Sequence, residues 1–215
     1  MFVPSFYREP HSSWKIDLIR ENPLALAVSN GSPGGIPFAT HLPVICDPAQ
    51  DGTELPADLS GLTLLAHMNR ANPHWKALED GGGVLLTFTG PHSYVSPTVY
   101  QVTPAAPTWN FTSVHVRGEV EKLDSMDDAM DVVQATVRAY ERDFGTGWDM
   151  SESLGYFRKI GPAVGAFRVR VTGADGMFKL SQEQPGEVRE RVRESFAGSD
   201  CIHKRATADL IGRLP

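Results

Sequence analysis

Three short stretches of the chain concentrate histidine, aromatic and polar side chains beyond what packing requires. They are His67-Met68-Asn69-Arg70-Ala71-Asn72-Pro73-His74-Trp75, Gly90-Pro91-His92-Ser93-Tyr94-Val95-Ser96-Pro97, and Pro107-Thr108-Trp109-Asn110 with His115. Imidazole carries protons near neutral pH and, when neutral, ligates haem iron. His41, His67, His92 and His115 are therefore the candidates for chemistry, whereas His11, His74 and His203 read as hydrogen-bonded structural or surface residues. Arg70 adds a planar fork that can grip a carboxylate or phosphate, and a strand-to-helix junction aims backbone N–H groups at a ligand. None of the three stretches has metal-ligand spacing. HExxH, GxSxG and a glycine-rich dinucleotide fingerprint are all missing, which excludes the corresponding peptidase, hydrolase and dehydrogenase chemistries. Gly81-Gly82-Gly83 lacks the Lys-Ser/Thr of a phosphate-binding loop and reads as a helix stop and turn.

These residues need elements to position them. Trp14, Leu18 and Ile19 follow an N-cap at Ser12 or Ser13 and predict a first helix that ends before Asn22-Pro23. Leu24 to Ser29 and Ile36 to Ile45 predict a hairpin around the 30–35 turn. Asp47 to Ser60 reads as a loop, and Leu62 to Met68 as a strand. Asn72-Pro73 supplies a cap and a first helical residue for a short helix to Leu78. Val84 to Thr89 predicts a strand, Tyr94 to Val102 another that Pro97 interrupts, and Trp109 to Val120 a strand with two distinct faces, His115 on one of them. Met126, Met130, Val133, Val137, Tyr140 and Phe144 recur at helical spacing, so Ser125 to Phe144 is expected as a helix with that stripe in the core. Val164 to Val171 is read as the last strand, followed by a turn at Ala174-Asp175-Gly176, a C-terminal helix stabilised by pairs such as Glu187 with Arg191, and an irregular tail. Strands joined by hairpin turns favour a mainly antiparallel barrel with peripheral helices, an α+β fold. No linker divides the 215 residues, which are expected as one domain.

Composition bounds the partners. With 41% hydrophobic and 21% charged residues the chain matches a soluble globular protein, and no apolar run approaches the ~20 residues of a membrane span. Met1 to Tyr7 lacks a basic region and a cleavage site, so the cytoplasm is the expected compartment. Twenty basic against 26 acidic residues, a net charge of -6, argue against a broad nucleic-acid surface. Two distant cysteines, Cys46 and Cys201, build neither a zinc framework nor a disulfide scaffold.

Several blocks in order resemble a known family. Ala39-Thr40-His41-Leu42-Pro43, the 67–75 block, the 90–97 block, Pro107-Thr108-Trp109-Asn110-Phe111 and Lys179-Leu180-Ser181-Gln182 are similar to the PaiB family, called FMN-binding negative transcriptional regulators. The resemblance runs from Met1 to the helix after Gln182. It implies an FMN-binding split-barrel-like fold, a homodimer and a cofactor near the dimer interface. Within the family, the run from Ser96 to Asn110 and the full 67–75 block look most like the piperazate synthases, which bind haem b and close a side-chain N-hydroxylated ornithine by forming an N–N bond. That likeness implies a small amino-acid substrate, His67 as axial ligand of the haem iron with His115 as second choice, and Arg70 and Lys204 as groups for a carboxylate or propionate. Asn72, Trp75, His92, Tyr94, Trp109, Asn110 and His115 would line the cofactor. The alternative is a regulator binding FMN or haem, the one reading that would require nucleic acid.

Overall fold

The computed structural model describes residues 1–11, 13–31 and 34–215. The N-cap expected at residue 12 and the centre of the first hairpin turn lie outside the described residues. Six strands, β1 (Leu24–Ser29), β2 (Phe38–Cys46), β3 (Thr63–Asn69), β4 (Gly83–Val95), β5 (Thr108–Leu123) and β6 (Val164–Lys179), close a barrel in the order β1-β2-β3-β6-β5-β4. Among the described residues seven α-helices accompany them: α1 (Ser13–Glu21), α2 (Pro73–Ala77), α3 (Pro97–Tyr100), α4 (Met126–Asp143), α5 (Leu154–Ile160), α6 (Gly186–Ala197) and α7 (Ile202–Gly212). The antiparallel α+β barrel is the fold expected from the alternating segments.

The chain forms two compact units. One comprises Met1–Asn22, Thr89–Val114 and Asp175–Pro215, the other Pro23–Phe88 and His115–Ala174. In the second unit β1 pairs with β2 from Leu24 opposite Pro43 to Ser29 opposite Phe38, and β3 pairs with β6 from Thr63 opposite Arg170 to Asn69 opposite Val164. Side chains alternate across each strand, so Leu64, Ala66 and Met68 share one buried face with Val169 and Phe167. On the opposite face Leu65 and Ala166 join Ile45 and Leu123 beneath Ala129 and Val132 of α4. Ser125 caps that helix by accepting from the Asp128 amide at 3.0 Å, and the Tyr140 hydroxyl donates to the Val44 carbonyl at 3.2 Å.

Five expectations need correction. The buried face of α4 runs through Ala129, Val132 and Thr136; of the expected stripe only Met130 is buried, while Met126 and Phe144 are exposed. Alanines let the helix axis approach the sheet, and the bulkier stripe beside them is left half-covered. The segment from Tyr94 is not an interrupted strand, because β4 continues to Val95 and Ser96-Pro97 starts α3, with Ser96 accepting from the Thr98 amide. Ala174-Asp175-Gly176 does not turn either. β6 runs through it, Asp175 takes the Met1 ammonium at 2.8 Å, and a Cβ on Gly176 would come within 3.0 Å of the Lys15 stem; tertiary contacts override the local turn preference of Asp-Gly. Finally, the tail is the regular helix α7, whose Thr207, Ala208 and Ile211 are buried against α6 and its surroundings. In α6 itself Arg191 is spent on the Tyr100 carbonyl, and the helix-face ion pair is Arg193 with Glu190.

Candidate functional site

In the second unit, β3 carries His67 opposite Ala166, on the face that Leu65 presents to α4. The ring is half-buried. Its Nδ1 is sealed from solvent without a hydrogen-bond partner, and burial lowers its pKa, so the imidazole is neutral at neutral pH. Nε2 is the nitrogen left open. A neutral ring with one open nitrogen fits what haem iron requires of an axial ligand.

The end of β3 is occupied by structural bonds. The Arg70 amide donates to the Ala163 carbonyl at 2.8 Å and its Nε to the Val164 carbonyl at 2.7 Å. Its guanidinium carbon stands 5.3 Å from the Trp75 ring centroid, and Lys122 Nζ stands 4.8 Å from the same ring. Among the described residues neither cation pairs with a carboxylate. Trp75 is only 6% exposed and lies on Gly165, where any Cβ would meet the indole at 2.5 Å. Asn72 caps α2, accepting from the His74 amide at 2.9 Å, and its Nδ2 donates to Thr40 at 3.3 Å.

His74 is the hydrogen-bonded core imidazole expected. It is 1% exposed, stacked on Phe38, with Nε2 2.9 Å from Ser29 Oγ and Nδ1 2.9 Å from Thr40 Oγ1. The chain Ser29-His74-Thr40 has the outline of a nucleophile, base and orienting group. It lacks the carboxylate that would stabilise an imidazolium, and burial lowers the His74 pKa, so the network braces and does not activate. His115 does not converge with His67. Thr172 donates to the Arg117 carbonyl at 3.2 Å, which sets this part of β5 beside the later part of β6. At ~3.3 Å per strand residue the two histidines are roughly 20 Å apart or more.

The first unit gathers a different set. β4 presents His92 and Tyr94, and β5 presents Trp109, whose Nε1 donates to His92 Nδ1 at 3.3 Å. With Nδ1 accepting from Trp109, the His92 ring carries its proton on Nε2. The His92 and Trp109 rings stack at 5.9 Å, and Tyr94 and Trp109 lie 6.1 Å apart. His203, on the first turn of α7, comes within 4.8 Å of the His92 ring. Its neighbour Lys204 rests over Phe196 at 5.7 Å. Asn110 is fully buried, and its amide and the Ser181 hydroxyl bond one another reciprocally at 2.9 and 3.3 Å.

Beside Tyr94 stand residues that motif reading missed. Tyr100 is 3% exposed, and its hydroxyl is enclosed without a partner; burial, then the Glu183 carboxylate, then Tyr94 raise its pKa. Burial, and after it the nearby Glu183 carboxylate, push the Tyr7 pKa to about 12. The Ser96-Pro97 helix start was the available signal for Tyr100, and the turn after Gln182 for Glu183. His203 offered none, since only the packing of α7 brings it to His92.

Comparison with known proteins accords with this architecture. Residues 1–173 match the family described as "Putative FMN-binding domain". The chain is 27% identical to "Protease synthase and sporulation protein PAI 2" of Bacillus subtilis (strain 168) over 213 residues, covering 98% of this chain and 96% of that protein. Among solved structures it is similar to the FAD and heme binding protein from Mycobacterium smegmatis (TM-score 0.58, 15% identity, 90% of this chain and 80% of that one). It is also similar to the flavocytochrome Anf3 from Azotobacter vinelandii (TM-score 0.55, 15% identity, 86% and 75%). At such identities the structural likeness bears on the fold, a split barrel. Matched over most of its length by the family model and over nearly all of it by the Bacillus protein, the chain belongs to this PaiB-like FMN-binding domain family.

Proposed function

We propose that the chain is a haem-dependent cyclase of the piperazate synthase type, converting side-chain N-hydroxylated L-ornithine to L-piperazic acid. The observation that carries this reading is His67, a neutral imidazole with a sealed, unpartnered Nδ1 and an open Nε2. The family's description and the FAD and heme binding of the Mycobacterium smegmatis protein support a flavin or haem cofactor, and an available imidazole favours haem within that pair. Haem iron, when bound, would supply a Lewis acid for the hydroxylated nitrogen. His67 would hold the iron through Nε2. Arg70, its Nε fixed on the Val164 carbonyl and its plane beside Trp75, would turn its remaining N–H edge to a carboxylate or propionate.

The reaction balances without a co-reactant. The α-amine nitrogen attacks the hydroxylated nitrogen, the N–N bond forms as the N–O bond breaks, and the oxygen leaves with two protons as water. One nitrogen is oxidised by as much as the other is reduced. Protein loaded with haem and given the hydroxylated ornithine, with no reductant, should therefore yield piperazic acid, and unhydroxylated ornithine should be inert. The His67→Ala variant should lose or shift the Soret band. Only unreacted substrate in the mass spectrum, with haem confirmed in place, would refute the cyclase; broad near-UV and blue flavin bands in the purified protein would turn the reading to a regulator.

A further inference from the structure

We propose that a cavity in the second unit binds a zwitterionic α-amino acid with a large apolar side chain, its carboxylate held by Ser29 and Lys76 and its ammonium by Glu79. The cavity measures about 720 Å³ and lies among the facing ends of β1 and β2, the helix α2 and the turn before β4. All the residues that line it belong to the second unit. His67 and Arg70 are not among them, so the site is separate from the residues assigned to the cofactor and does not depend on the cyclase reading.

A buried hydroxyl makes this recess a site. Ser29, 8% exposed, ends β1 opposite Phe38, and its Oγ lies 2.9 Å from His74 Nε2. The direction of that bond is set from the far end of the network. The His74 amide can only donate, so Asn72 Oδ1 accepts it and Asn72 Nδ2 is left to donate to Thr40 Oγ1. Thr40 then has its own hydrogen to give, and His74 Nδ1, 2.9 Å away, receives it. The ring proton therefore sits on Nε2 and is donated to Ser29 Oγ. Donors now run one way through Asn72, Thr40, His74 and Ser29, the arrangement in which each bond polarises the next. The other tautomer would aim two donors at Thr40 and strand the threonine hydrogen. At the end of the chain the Ser29 hydrogen has no acceptor among the described residues, and Ser29 lines the cavity.

A hydrogen offered to the cavity calls for an acceptor, and Lys76, which also lines it, selects one with negative charge. Glu79 on the same lining asks for the opposite. Both side chains are exposed, and among the described residues neither forms an ion pair. One cation and one anion in one cavity match a ligand of zero net charge. A phosphate or dicarboxylate would bring surplus negative charge to Glu79, and a simple amine would leave Lys76 and the Ser29 hydrogen unmatched. The apolar wall comes from Phe38, stacked on His74 at 5.5 Å, and from Leu78, which is 5% exposed. Small-molecule sites are about 300–1,000 Å³, so the volume accommodates an aromatic amino acid.

The test is calorimetric titration of the full-length protein with L-phenylalanine. Ser29→Ala should weaken binding about tenfold, as expected for a lost hydrogen bond to a charged group, and Lys76→Gln and Glu79→Gln about threefold each. L-Phenylalaninamide, which lacks the carboxylate, and 3-phenylpropanoate, which lacks the ammonium, should both bind more weakly than the amino acid. Two readouts need no variant. Nitrogen-15 shifts of labelled histidine should show His74 protonated on Nε2 and bare on Nδ1, and the amide resonances of Gly31 and Gly82 should move on adding L-phenylalanine. Binding that is absent, or that is unchanged in both Ser29→Ala and Lys76→Gln, would overturn the site, as would a proton on Nδ1. Phenylpropanoate binding as tightly as phenylalanine, with no effect of Glu79→Gln, would overturn the zwitterion.

Discussion

A histidine kept neutral by burial makes the fold sensitive to acid. For His67 and His74 burial lowers the folded pKa below the usual 6.5. Above that value both states are neutral and the rings contribute no pH dependence. As pH falls below about 6.5 the unfolded chain takes up protons that the buried rings do not, so stability declines until the folded pKa is reached. Melting temperature should therefore drop as pH falls below about 6.5, and His67→Gln should flatten part of that slope. An identical slope in the variant would show that the enclosed Nδ1 costs nothing on protonation.

The helix α7 carries the consequence at the scale of elements. Removing everything after Ala197 deletes buried Thr207, Ala208 and Ile211 and strips cover from α6, so the truncated protein should melt well below wild type whatever Lys204 does. The point variant Lys204→Ala separates the two roles: a melting temperature close to wild type with weakened haem or substrate binding supports a ligand role for this lysine, whereas unchanged binding leaves it a packing residue over Phe196. The same helix marks where the sequence was legible. Period-two strands, the Asn72-Pro73 and Ser125 helix starts and the antiparallel α+β class could be read directly, because local chemistry and tertiary packing agree there. They disagree in Asp175-Gly176, where an N-terminal ammonium and a lysine stem hold a strand open, and in α7, whose His-Lys-Arg start conceals the apolar positions three to four residues on. For the site, His67, His92 and Trp109 stood out as residue types. Tyr100 did not, since an unpartnered phenol is a defect only a packed structure reveals.

At the scale of the molecule, the strands β4, β5 and β6, of 13, 16 and 16 residues, are longer than a barrel of β1 to β3 length needs, and each supplies residues to both compact units. One continuous strand thus carries inward-facing core residues in one stretch and, in another, side chains such as His92 or Trp109 that stack on one another. None of the described helices is long and apolar enough to cross a membrane. Half-exposed Trp148 and Ile160 and more exposed Tyr156 leave an apolar surface on the second unit near α5.

The contact of Trp75 with Gly165 reaches beyond this one molecule. Because the indole occupies the volume of any Cβ at position 165, the two positions are not free to drift separately through descent. A lineage that gains even alanine at 165 must first shrink the aromatic at 75, and in doing so it removes the surface against which Arg70 and Lys122 rest. The two sites, ninety residues apart in the chain, are expected to change as a pair, and an alignment of relatives deep enough to show substitutions at either should show them at both.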